Sequence, residues 1–442
     1  MSNPLRDSVD AGPMTPYQWT AIGVCIMLNM IDGFDVLVMA FTAASVSTEW
    51  QLGGTEIGML LSAGLLGMAG GSLFIAPWAD RFGRRPLILF CLTLSAVGML
   101  LSAYSQSPEQ LGLLRILTGL GIGGILASSN VIASEYSNAR WRGLSVSLQS
   151  TGYALGATFG GMVAVYLLGQ WGWRSVFLFG GLCTLAAIPL TLWRLPESLD
   201  FLIARRPSNA LVRLNRLAAR LGQPQLRELP TLSDARAQGG GSRFQRLFTR
   251  EQLPSTLLLW LAFFLVMFGF YFVMSWTPKL LVTAGLSAEQ GVTGGVLLSV
   301  GGIFGSTLLG FCSARYRLHL ILAVFMLVTA LLLAVFVAST SQLTLAFIVG
   351  ALIGLFANGC VAGLYAVSPL VYDASVRATG VGWAIGIGRI GAILSPLVAG
   401  RLIDAQWAPS QLYLAYAAAF AAVACVVLMF RLPSPRARAA LG

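Results

Sequence analysis

The chain predicts an all-α membrane protein with twelve transmembrane helices in two six-helix bundles, and three observations carry that prediction. Hydrophobic residues make up 56% of the 442 positions and charged residues 10%, with a mean hydropathy of +0.77. That leaves too little polar surface for a soluble globular protein of this length. Apolar runs of about 20 residues or more, each able to cross a hydrocarbon core of roughly 30 Å as a helix, recur along the whole chain. Basic residues fall almost wholly in alternate connections between those runs.

After a tail at 1–18, the first bundle (19–194) holds spans at about 19–46, 56–79, 86–105, 109–133, 143–168 and 174–194. A linker follows at 195–252. The second bundle (253–431) holds spans at about 254–283, 290–313, 319–339, 342–370, 376–402 and 409–431, before a tail at 432–442. The first run is too long for the apolar core of a cleaved signal, lacks a basic stretch directly before it and carries two acids in its middle, so it stays as span one. The six cysteines, Cys25, Cys91, Cys183, Cys312, Cys360 and Cys425, all lie in predicted spans without metal-ligand spacing. They read as packing residues.

An even number of spans puts both termini on one side. Connections on that side hold Arg81, Arg84, Arg85, Arg140, Arg142, Arg315, Arg317 and Arg377, and the linker adds ten more arginines; near the opposite connections stand only Arg174, Lys279 and Arg401. The positive-inside rule therefore predicts cytoplasmic termini and a cytoplasmic linker. The net charge of +11 is explained by topology and contact with anionic lipid, with no nucleic acid implied.

The linker contains Gln238-Gly-Gly-Gly-Ser242, a flexible joint. In it Leu211, Leu214, Leu217 and Leu221 share one helical face and Arg213, Arg216 and Arg220 another, which predicts a basic amphipathic helix at the lipid surface. A plain tether between bundles is the simpler alternative.

Asp32 and Asp35 lie in the middle of span one, in Asn29-Met-Ile-Asp32-Gly-Phe-Asp35. An ionised carboxylate at that depth costs several kcal/mol, so it is kept where protons, ions or a polar solute must meet it. Positions i and i+3 share a helix face, so the two acids look the same way and Asn29 can join them. Arg115 in span four approaches the depth of Asp35, and Arg389 near the middle of span eleven is a second buried cation. These four could be structural ion pairs. Binding an anion fits better, since guanidinium is a planar bidentate donor for carboxylate and a buried pair is costly to keep without use.

The halves echo each other. Asp80-Arg-Phe-Gly-Arg-Arg85 after span two is answered by Ala314-Arg315-Tyr316-Arg317 after span eight, and Arg142-Gly143 by Arg377-Ala-Thr-Gly380. The first of these loops, with Arg115-x-x-x-Gly119-x-Gly121-x-Gly123-Gly124 in span four and Pro196-Glu197-Ser198 closing span six, resembles the major facilitator superfamily. Ala76 departs from the glycine that usually opens the loop signature. Asp32-Gly-Phe-Asp35 and the stretch around Gly386-Ile-Gly-Arg389 in span eleven are similar to the aromatic acid:proton symporter family. The resemblance implies proton-coupled uptake of a benzoate-like or hydroxybenzoate-like anion. It also implies that span seven, with Phe263, Phe264, Phe268, Phe270, Tyr271, Phe272 and Trp276, lines the cavity opposite span one.

On this reading Asp32 and Asp35 carry the proton, which is the coupling ion, and no other cofactor is expected. Arg115, Arg389, Asn29, Tyr271, Trp276, Asn358 and Tyr365 are the substrate candidates. Where substrate draws an arginine from an acid, the abandoned acid takes up a proton, which couples the two ligands. One proton with a monoanion moves no net charge, whereas two move one charge, gaining about 2.3 kcal/mol per 100 mV. Asp80, Arg81, Arg84, Arg85, Glu135, Arg142 and Arg377 are expected to latch a gate at the cytoplasmic rim, or to serve only as topology determinants. His319, the one histidine, is a proton-relay candidate by its ordinary titration range and otherwise a basic loop residue. A monomer is expected. A proton-coupled transporter of another organic anion, or a drug:proton antiporter of the same superfamily, is the alternative function, and a membrane enzyme lacks a nucleophile or metal constellation to carry it.

Overall fold

A computed structural model describes residues 4–206, 209–223, 229, 244–250, 252–339, 342–372 and 376–430. The joint at 238–242 lies outside them. Twelve helices among these residues are long and apolar enough to cross a membrane. In the first half, spans one to six are Pro16–Trp50, Gly54–Phe82, Arg84–Ser102, Pro108–Glu135, Arg142–Trp171 and Trp173–Arg194. In the second half, spans seven to twelve are Leu253–Thr283, Ala288–Ser313, Leu318–Phe336, Leu343–Val371, Thr379–Asp404 and Pro409–Leu428. Each run closes its own hydrogen-bond ladder because lipid offers no partner for a backbone N–H or C=O.

The boundaries have local causes. Spans one, four and twelve begin on Pro16, Pro108 and Pro409, where the missing N–H costs nothing. The Ser107 hydroxyl accepts from the Gln110 N–H, and Ser287 and Gln290 form a reciprocal cap at the start of span eight. Span two changes pitch near its end, through a π turn at Gly71–Ile75 and a 3-10 turn at Ala76–Trp78. Pro77 lies in that second turn and has no N–H to continue the ladder.

The chain forms two compact units, Met1–Val38 with Ala63–Ala237, and Met39–Ser62 with Gln238–Gly442. This differs from a strict division at the linker, because residues 39–62 group with the C-terminal half. The cause is close packing in that unit. The Asp404 carboxylate accepts the N–H of Gly54 and Thr55 at 2.6 and 2.8 Å, Ser62 donates to the Ile393 carbonyl, and Lys279 donates to the Ser47 hydroxyl. A side chain at Gly58 would meet the Pro396 carbonyl at 2.5 Å.

In the first unit span three packs on spans four and six; in the second, span nine packs on span twelve, seven on eleven and eight on ten. The pairing of three with six thus returns six spans later as nine with twelve, a structural counterpart of the sequence echo. The linker helix Ala210–Arg220 differs from expectation in one respect. Its apolar face is covered by protein, with Leu214, Leu217 and Leu221 buried in a cluster that includes Val9, Ala21, Leu28, Leu202 and Tyr136. Arg213, Arg216 and Arg220 remain exposed.

Candidate functional site

In the first unit Asn29, Asp32 and Asp35 are all buried on one face of span one, with Asp35 at 0% exposure. The spacing argument put them there; Ser95 of span three and Arg115 of span four lie against Asp35, while span five packs on the other side of the helix. Gly152, Gly156 and Gly160 of that span lie against Ile26, Met30 and Phe34, and Gly33 lies against the Tyr153 carbonyl. Helices without side chains at their contact approach closely, which fixes span one against span five on the side away from the acids. Asn29 spends its amide on its own helix, donating to the Cys25 carbonyl at 3.0 Å.

Arg115 reaches the depth of Asp35 and is 1% exposed. Its Nη2 donates to the Asp35 main-chain carbonyl at 2.6 Å, and its Nη1 contacts the Met99 sulfur at 2.9 Å. The guanidinium also lies over the Phe177 ring, 5.6 Å from the centroid. Its charge attracts the Asp35 carboxylate. Ser95 of span three donates to Asp35 Oδ2 at 3.2 Å. Asp35 Oδ1, Asp32 Oδ2 and Arg115 Nε are buried without a hydrogen-bond partner among the described residues. A buried polar atom left in that state is costly unless something else visits it. The arrangement therefore offers two acceptor positions that a proton can occupy.

The second unit places Arg389 in span eleven, half-buried, with Tyr271 and Tyr365 within reach of its charge. Phe263 meets the Tyr365 ring edge-on at 5.5 Å and packs on Gly388. A guanidinium with two phenols within reach of its charge suits a small aromatic anion: charge for its carboxylate, phenol rings for its body. Asn358 is half-buried in span ten, with its amide facing Gly302. Trp276 is fully buried and donates its indole N–H to the Pro396 carbonyl at 3.2 Å. Two of the other span-seven rings serve packing: Phe272 stacks on Tyr416 at 3.8 Å and Phe268 on the same ring at 4.8 Å.

The rim residues of the first unit form a network within that unit. Glu135 accepts from the Ser198 hydroxyl and the Leu199 N–H and pairs with Arg84 at 3.8 Å. Asp80 pairs with Arg84 at 3.7 Å, and its carbonyl accepts from Arg205. Arg142 pairs with Asp10. Arg85 donates to the Leu192 carbonyl, while Arg81 lies against the Phe82 ring. In the second unit Arg377 is exposed at the start of its helix and His319 is partly exposed at the start of span nine.

Sequence reasoning missed the role of Glu197. Its Oε1 accepts the main-chain N–H of Arg84, Arg85 and Ser198 at 2.8, 3.2 and 2.8 Å, so it caps span three from a distant loop. Glu197→Ala is expected to lower stability by about 2 to 3 kcal/mol, read as a fall in thermal unfolding temperature in detergent micelles; Glu197→Gln keeps one acceptor oxygen and should fall less. Ser95, Met99 and Phe177 were also missed, because such residue types in apolar runs carry no signal of their own.

Twelve helices long and apolar enough to cross a membrane, with two buried acids in span one and a buried arginine in span four, define a polytopic transporter. Residues 22–341 match the model of the Major Facilitator Superfamily, and the chain belongs to that family. It is a multi-pass inner-membrane transporter of bacterial type, not an enzyme. The chain is 34% identical to the gallate transporter of Pseudomonas putida and 33% identical to the 4-hydroxybenzoate transporter PcaK of Pseudomonas aeruginosa, in each case over 90% of this chain and 89% of the other. The benzoate transport protein of Acinetobacter baylyi is 27% identical, over 91% of this chain and 87% of its own. Among solved structures, the inward open xylose transporter XylE from E. coli shares the fold with a TM-score of 0.73 at 15% identity, covering 95% of this chain and 97% of that one.

Proposed function

We propose that the protein imports a benzoate-like or hydroxybenzoate-like carboxylate together with protons, by alternating access, with its termini in the cytoplasm. The observation that carries the reading is the pair of buried acids in span one, each with an unpartnered oxygen, beside the buried Arg115. The similarity to transporters of gallate, 4-hydroxybenzoate and benzoate supports the substrate class. Asp32 and Asp35 take the proton. Arg389 is better placed than Arg115 to meet the substrate carboxylate, because it is half-buried with two phenols within reach of its charge, whereas Arg115 is fully buried and held by the Asp35 carbonyl and the Met99 sulfur. Arg115 then holds the main chain of the acid.

The test is accumulation of radiolabelled 4-hydroxybenzoate in proteoliposomes, with and without an imposed gradient acidic on the outside. Gradient-dependent accumulation supports the reading. Folded protein that accumulates none, or that acidifies the outside when a cationic drug is added, overturns it in favour of another substrate or of antiport.

A further inference from the structure

We propose that the arginine-rich end of the first unit holds a built site for the headgroup of an anionic phospholipid. The site is independent of the transported solute. A cavity of about 650 Å³ opens where the linker helix crosses the ends of spans three and six. Arg85, Arg194, Arg213, Arg216 and Arg220 all line it. The carboxylate on its wall, Glu197, is committed to the three main-chain N–H groups described above. Arg85 Nε is buried without an acceptor among the described residues. Such a concentration of guanidinium groups suits a phosphodiester, whose oxygens accept paired N–H bonds.

The remaining wall decides between a soluble anion and a lipid. Leu89, Leu192, Trp193 and Leu217 supply apolar surface, and Leu192 and Trp193 are exposed at the terminal turn of span six, where the helix leaves the membrane. Trp193 is 74% exposed with the Arg194 guanidinium 4.0 Å from its ring centroid, an arrangement typical of the headgroup level. A free phosphate has no use for that wall, whereas an acyl chain beginning at the glycerol does. Basic pockets between helices at this level are suited to anionic lipid headgroups. Three of the five arginines come from the linker helix, so a bound lipid also fastens that helix to the bundle through charge, beside its leucine anchors.

The test uses the purified full chain in detergent micelles, with bound lipid read by native mass spectrometry during titration with phosphatidylglycerol or phosphatidylcholine. Phosphatidylglycerol is expected to bind roughly tenfold or more tightly than phosphatidylcholine. The Arg213→Gln, Arg216→Gln, Arg220→Gln triple variant should lose that preference, and the corresponding triple substitution to Lys should keep most of it. Equal binding of the two lipids, or an undiminished preference in the Gln variant, overturns the proposal. Displacement of phosphatidylglycerol by millimolar inorganic phosphate also overturns it, assigning the cavity to a free anion. Should the Gln variant fail to fold, the headgroup ranking on the unaltered protein and the Lys variant decide the matter.

Discussion

Asp35→Asn is expected to abolish gradient-driven accumulation of substrate while leaving exchange of labelled for unlabelled substrate across the membrane. The amide matches the carboxylate in shape and can still accept from the Ser95 hydroxyl, so the fold survives. What it loses is the capacity to gain and release a proton. A one-unit pH gradient gives each co-transported proton about tenfold of accumulation, and the variant should fall to the level seen without a gradient. Counterflow in the same vesicles checks that binding and reorientation persist. Retained gradient-driven accumulation would reject the assignment of the proton to Asp35 and pass it to Asp32, whose Oδ2 is equally unpartnered among the described residues.

The second large effect is steric. A Cβ at Gly156 would lie 1.8 Å from the Met30 carbonyl oxygen, with no side chain present whose rotation could relieve it. Gly156→Val must therefore separate spans one and five at the level of the two acids. Overpacking of a closed contact costs about 3 kcal/mol or more when main chain has to move. The expected result is a large drop in thermal stability in detergent, with transport lost in whatever protein remains folded. Gly23→Ala, in the same span one but with no neighbour within 4 Å of the added methyl, should leave both unchanged. Similar melting temperatures for the two variants would show that the contact between spans one and five is looser than these distances imply.

Much of this was legible in the amino-acid sequence, for a physical reason. Lipid leaves a chain few options, so a run of about 20 apolar residues reads directly as a helix, and a charge inside such a run stands out. Asp32, Asp35 and Arg115 were visible on those grounds, and the i, i+3 spacing put the acids on one face. Ser95 was not visible. A serine in an apolar helix has many ordinary uses, and only the approach of span three to span one brings its hydroxyl to Asp35. Glu197 stood in a recognisable triplet, but its service to Arg84 and Arg85 depends on a contact across more than 100 positions of chain. The amphipathic pattern of the linker helix was correct as a pattern. Periodicity says that one face is buried without saying whether lipid or protein buries it, and here protein does.

Span one is a single helix from Pro16 to Trp50, and the boundary between compact units passes through it between Val38 and Met39. Asp35 precedes that boundary by about one turn, or roughly 6 Å of rise. The helix thus contributes residues to both units, and Asp35 sits close to the point where its packing passes from the first unit to the second. One hydrogen-bond ladder therefore runs without interruption through residues of both units. On the proposed function, the proton is taken up within about one turn of the residue at which span one changes unit.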